Sequence, residues 1–439
     1  MSQFIYAAAL LSAGKSIIDP LLVVTGDSIA WVGEAQDPHA PAPGQDDTVT
    51  RLDGHILIPG LVNGHTHSAM TLLRGVSDDH GFMPWLAEVQ ALEQQLTHDD
   101  IAAGLQLAML EMIESGTTSF NDMYVWDAQL LELVRDAGMR VVAALAITRP
   151  EQIMFPGVTT KTGRDELAHA VELQRRYAAD PQIKIAYGPH APYSVPREFF
   201  AETIEHAKRT GIPVHTHIAE SPAETEMVVA ETGKRPARYL RELGLYETSA
   251  MAAHCVHLDD EEIAEMAASG VALSHCPVSN LKLGNGVARL LDWLQSGVRI
   301  SLGTDSVASN NTLDLFEELK LATILHRGVL HDAAAITAEQ VFEIATRAGA
   351  EAIGFGDCGE LAVGKKADIV ALKTSEANAV PHANLLSHVV FAASGKDVDY
   401  VWIGGRAVYA AGEHLTLDAT AVKQRAAESA ARIRVAAKL

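Results

Sequence analysis

From residue 61 to residue 303 the chain alternates short apolar runs with longer stretches in which apolar residues recur at helical spacing. The runs fall at 61–65, 118–121, 141–147, 183–187, 214–218, 250–256, 271–274 and 298–302, and each reads as a buried strand. Between them, segments such as 99–115, 165–178, 198–209 and 260–268 carry one apolar and one polar face, the pattern of amphipathic helices. Eight such units within about 250 residues predict a (β/α)8 barrel. A doubly wound open sheet is the alternative, but no glycine-rich phosphate loop stands where that fold would place one. Helices at 313–326 and 338–348 follow the eighth strand.

The two ends follow another rhythm, with short strands, turns and little helix. Ile29-Ala30-Trp31-Val32-Gly33 and Tyr400-Val401-Trp402-Ile403-Gly404-Gly405 are examples. The expected architecture is therefore α/β: a (β/α)8 TIM barrel over residues 60–359 beside a small β-sandwich domain built from both chain ends. Residues 1–59 supply one half of that domain and 360–439 the other, with a closing helix at 421–437. No low-complexity linker or internal repeat interrupts the pattern.

Composition narrows the partners. With 34 basic against 56 acidic residues the net charge is −22, which disfavours nucleic acid and anionic membrane. No apolar run approaches the roughly 20 residues of a membrane span. The start, residues 4–11, faintly resembles a signal-peptide core but lacks a basic segment before it. Cys255, Cys276 and Cys358 are scattered and cannot all pair, so a reducing cytoplasm is the expected location. The expected partner is a small-molecule substrate, with the chain assembled as a homo-oligomer.

The candidate chemistry lies at the strand ends. Gly64-His65-Thr66-His67 closes the first strand, and two histidines one residue apart project from the same face. His190 follows the fourth strand; His217 ends the fifth, with Glu220 three residues on; His254 ends the sixth; Asp305 follows the eighth. In a barrel these ends share one mouth. Three histidines and an aspartate supply four nitrogen and oxygen ligands, a set suited to Zn²⁺, with water in a remaining position. Glu220 is placed to shuttle protons and His254 to hydrogen-bond the attacking oxygen. Lys184 lies too early in the fourth strand to bridge two metals, so one ion is expected.

Each residue also has an ordinary reading. An isolated His190 or His254 is more often a hydrogen-bonded structural histidine, and Asp305 could cap a turn. His215 shares a strand face with His217, and spacing alone does not separate them. Suitable groups at five strand ends together are what make metal chemistry the better account.

The chain resembles the amidohydrolase superfamily, within the branch of 5-methylthioadenosine/S-adenosylhomocysteine deaminases and triazine hydrolases. The motifs are Pro59-Gly60-Leu61-Val62-Asn63-Gly64-His65-Thr66-His67, Met70-Thr71-Leu72-Leu73-Arg74-Gly75, Gly188-Pro189-His190-Ala191-Pro192-Tyr193 and Ala253-His254-Cys255-Val256-His257. Ser279-Asn280-Leu281-Lys282-Leu283-Gly284-Asn285-Gly286 and Gly303-Thr304-Asp305-Ser306 complete them. The resemblance implies one zinc on His65, His67, His217 and Asp305, which selects His217 over His215. It implies proton transfer by Glu220 and His254, with Asp305 accepting a proton from the attacking water. It also implies substrate contacts from His190, Glu220, Asp305, Arg149 and Glu93, the last holding ribose hydroxyls. Trp85 would line the pocket or pack the core, and Arg164 is a weaker counterpart of Arg149. The implied reaction is hydrolytic deamination of the adenine ring of 5′-methylthioadenosine, S-adenosylhomocysteine or a related adenosine. Deamination or dechlorination of another heterocycle (a pterin, oxidised guanine or triazine) is the alternative, and a non-catalytic scaffold the remote one.

Overall fold

The computed structural model describes residues 1–381 and 384–437. Its centre is a sheet of eight parallel strands: Leu61–Thr66, Thr117–Tyr124, Arg140–Ile147, Ile183–Pro189, Val214–Ile218, Ala250–His254, Ala272–His275 and Arg299–Leu302. They pair in chain order from first to last. The two edges are then laced together. The Asp305 amide donates to the His65 carbonyl at 2.9 Å, and the Asn63 side chain both donates to Thr304 Oγ1 and accepts from the Thr304 amide. Every residue of the first, second and fifth strands is buried, as a sheet covered on both faces requires. Glycine at 64 is dictated by this crowding, because a Cβ there would lie 2.3 Å from Ser301 Oγ inside the barrel.

The helices between strands start and stop on local signals. Thr97 with Asp100, Thr162 with Asp165, Asp259 with Glu262 and Thr337 with Gln340 form reciprocal capping boxes. Glycines in left-handed conformation end the helices Ala128–Ala137, Arg197–Thr210 and Asp260–Ser269. One expectation changes. The helix anticipated over 338–348 is two, Ala338–Ala345 and Arg347–Ala352, broken at Thr346. The Thr346 backbone leaves the helical region there, with φ −129° and ψ −105°.

The chain ends meet in a second, nine-stranded mixed sheet. Thr48–Pro59 from the N-terminal part pairs antiparallel with Ile369–Lys373 from the C-terminal part, Ile58 opposite Val370. Ile5, Leu22, Leu57, Ile369 and Trp402 form its own apolar cluster. It is joined to the barrel by Arg140, at the start of the third strand, whose guanidinium donates to both oxygens of Asp368. The closing helix Ala419–Ala437 lies on His98–Glu114, with Arg432 reaching Asp100 and Arg425 reaching Gln106. Among the described residues no helix is long and apolar enough to cross a membrane.

Candidate metal centre and active site

Strand geometry delivers the polar side chains to the barrel mouth. Three of the residues in the turns leaving those strands, Ala219, His254 and Asp305, have left-handed backbones with φ of 51°, 67° and 58°. Non-glycine residues adopt that conformation at a cost, and such strain clusters at functional sites.

Two interlocking sets of possible ligand atoms result, His65 with His67 and His217, and His65 with His254 and Asp305, each within 4.8 Å. His65 Nε2 and His67 Nε2 both lie 3.4 Å from Asp305 Oδ1, and His67 Nε2 lies 3.3 Å from His217 Nε2. The second nitrogen of each ring fixes its tautomer. His67 Nδ1 donates to the Met123 carbonyl and His217 Nδ1 to the His190 carbonyl, both at 2.6 Å, leaving each Nε2 with a lone pair. His65 Nδ1 meets His215 Nε2 at 2.8 Å, while its fully buried Nε2 has no hydrogen-bond partner. An orphaned buried nitrogen facing a carboxylate and two further lone pairs is what a nitrogen- and oxygen-liganded cation needs. His215 is set one layer behind, between His65 and Asn121.

The two carboxyl groups at the mouth are driven in opposite directions. Burial pushes the Glu220 carboxyl well above its ordinary range, with the nearby Asp305 and Glu224 charges adding to the effect. Burial also acts against ionisation of Asp305, but its contact with His65 and the charges of His254 and His67 outweigh it and hold the group well below the usual range. Asp305 Oδ2 accepts from the Ser279 and Ser309 hydroxyls at 2.6 and 2.7 Å. Burial lowers His65 to about 3 and His190 to about 4, so both rings are neutral at pH 7. His254 Nε2 faces Glu220 Oε2 at 3.7 Å, and its Nδ1 is held by Asn280 Oδ1 at 2.9 Å.

These groups open into a cavity at the barrel mouth. Among the expected site residues, His67, His190, His217, Glu220, His254, Asp305 and Glu93 line it, and Trp85 does too. Glu93, at the end of the helix Phe82–Glu93, is buried and accepts from the Tyr124 hydroxyl at 2.7 Å. Burial raises its carboxyl, and the Tyr124 bond partly offsets this. Arg149 does not line the cavity, and Arg164 is turned to the surface, paired with Glu151 and Glu202. Lys184 donates to the Gly354 carbonyl, away from the mouth.

Several supporting residues escaped the sequence reading. Glu224 accepts from the Ala219 and Glu220 amides at 3.0 and 2.6 Å and so braces the turn that carries Glu220. Its spacing of one helical turn after Glu220, behind the capping Ser221, was the available signal. Asn285 donates to Glu220 Oε1 at 3.1 Å. Tyr124 and Phe155 wall the cavity beside Glu93; nothing in their local sequence announces this.

A model of the amidohydrolase family matches residues 56–408. The chain is 37% identical to a 5-methylthioadenosine/S-adenosylhomocysteine deaminase of Pelotomaculum thermopropionicum, over 94% of each chain. It is 41% identical to a 5′-deoxyadenosine deaminase of Methanothermobacter thermautotrophicus, over 97% of this chain and 99% of that one. The crystal structure of an adenosine deaminase from Xanthomonas campestris with bound zinc superposes with a TM-score of 0.93 at 33% identity, covering 99% of this chain and 98% of that one. A triazine hydrolase variant shares the fold, with a TM-score of 0.87 at 22% identity, over 98% and 99% of the two chains.

Proposed function

The chain belongs to the amidohydrolase family, and from that premise we propose that it is a zinc-dependent aminohydrolase acting on the adenine ring of 5′-methylthioadenosine, S-adenosylhomocysteine or a related adenosine, releasing ammonia. The observation that carries the reading is the convergence of histidine nitrogens with Asp305 at the end of a cavity that Glu220 also lines, the two carboxyls being driven in opposite directions. The deaminase names of the relatives support it.

His65, His67, His217 and Asp305 are the residues that would hold one zinc ion, which would bring a water to ionisation near neutral pH. Asp305, held ionised, takes a proton from the attacking water as its oxygen bonds to the amino-bearing carbon. Glu220, whose burial drives its carboxyl toward the protonated form, gives a proton to the adjacent ring nitrogen. His254, with Nδ1 anchored on Asn280, hydrogen-bonds the oxygen that is adding. On collapse Asp305 returns its proton to the amine, Glu220 recovers one from the new hydroxyl, and the carbon–nitrogen bond breaks to give ammonia and a carbonyl. At the other end Glu93, braced by Tyr124, accepts the two vicinal ribose hydroxyls, and His190 contacts the base.

Glu220→Gln keeps the shape and the Asn285 contact but cannot cycle a proton. Its turnover should fall by about 10²- to 10⁴-fold with zinc content unchanged. Undiminished ammonia release by that variant would remove Glu220 from the reaction.

A further inference from the structure

The adenosines considered above differ in what hangs from the 5′ carbon: hydrogen, a methylthio group, or a homocysteine chain carrying an ammonium and a carboxylate. The cavity treats these unequally. Away from the histidines its wall is largely apolar, built from Phe82, Trp85, Leu86, Met154 and Phe155, with Gln90, Tyr124 and Tyr193 its uncharged polar members. Among the described residues that line it there is no lysine or arginine, and its carboxyls are Glu93, Glu220 and Asp305. A carboxylate drawn into this space would lose its hydration and meet no counter-charge.

Both signs of charge occur next door. A second, smaller cavity shares Tyr124, Ala146, Met154 and Phe155 with the first, so these side chains form a wall between the two. Lys161 and Glu166 line its far side. Glu166 is only 8% exposed and its Oε2 has no hydrogen-bond partner. Phe155 is the aromatic panel of the partition, itself buried, with its ring centroid 5.0 Å from that of Tyr124. Tyr124 is fixed in turn by its bond to Glu93.

We propose that Phe155, braced on Tyr124, is a specificity-determining residue that closes the charged chamber off from the substrate cavity, so that the chain deaminates adenosines bearing a small, uncharged 5′ group and rejects those bearing a zwitterionic amino-acid chain. The inference rests on the deaminase reading. It follows from the cost of an unpaired buried charge, which rejects a ligand far more strongly than a missing apolar contact does.

The test is kcat/KM for 5′-methylthioadenosine and S-adenosylhomocysteine, measured on the zinc-loaded protein and on Phe155→Ala. The unmodified protein should favour the methylthio compound by about 100-fold or more. Phe155→Ala should narrow that ratio at least about tenfold by opening the chamber, and adding Lys161→Met should restore it. Phe155→Leu, a milder change, serves if the alanine variant does not fold. Equal use of both substrates by the unmodified protein, or a ratio unmoved by either Phe155 variant, overturns the inference and leaves the deaminase reading intact. Silence on both nucleosides overturns the two together.

Discussion

Arg140 and Asp368 form one buried ionic cluster of the molecule, and the histidines and carboxyls at the barrel mouth form another. In the first, every charge has a partner. The Arg140 guanidinium donates to both Asp368 oxygens at 2.9 and 3.1 Å and to the Pro181 carbonyl, and the Gly404 amide adds a further donor to Asp368. In the second, a buried atom is left without a hydrogen-bond partner: His65 Nε2 has none, and it and His67 Nε2 both face Asp305 Oδ1 at 3.4 Å. The satisfied pair joins barrel to sheet. The unsatisfied group costs stability in the chain alone, a cost that persists where a ligand offsets it. A buried ion pair with all its partners therefore reads as architecture, and a cluster of converging ligand atoms with an unpartnered nitrogen reads as a site.

That contrast can be broken most sharply at the mouth. Asp305→Ala or His65→Ala should reduce turnover by about a thousandfold or more and abolish stoichiometric zinc, while leaving circular dichroism and the unfolding midpoint of the metal-free chain near the original. Asp368→Ala should do the reverse. Leaving Arg140 buried without its partner should cost about 3–5 kcal/mol in chemical denaturation, with zinc content and kcat unaffected below the new midpoint. A smaller effect is expected one layer back. His215→Ala removes the ring that holds His65 Nδ1 and should weaken zinc affinity about 10- to 100-fold in a chelator competition, without emptying the site at saturating metal.

The smallest effect is a pH dependence. Burial, with the His67 and His254 charges, lowers His190 to about 4 from an ordinary value of 6.5. The unfolded chain therefore takes up this proton below about 6.5 while the folded chain does not until about 4. Stability of the metal-free protein must fall as pH drops through that window. His190→Asn should shallow the decline in unfolding midpoint between those pH values. An unchanged slope in His190→Asn would show that other groups carry the acid sensitivity.

The barrel was legible because each strand is covered on both faces and so reads as an apolar run, with its end marked by a polar residue the core would otherwise exclude. Ligand candidates followed from those ends. His215 and His217 could not be separated by parity, since both project from one face; only their neighbours, His65 Nδ1 and the His190 carbonyl, distinguish the layer each occupies. Glu93 could have been an ordinary helix-surface glutamate, because its burial depends on Tyr124 arriving from another strand. Phe155 lies in an irregular loop with no period, so only the folded chain shows that it divides two cavities. The break at Thr346 was hidden for a similar reason, since the helix-length apolar pattern runs on across it.

The central claim is that the unsatisfied cluster exists to hold a metal for deamination, and ammonia release from 5′-methylthioadenosine tests it most directly. The purified chain would be assayed as isolated, after chelation, and after readdition of zinc. Release that disappears on chelation and returns with about one zinc per chain is the predicted result. Equal release by the chelated, metal-free chain, or none after zinc has bound stoichiometrically, would contradict it.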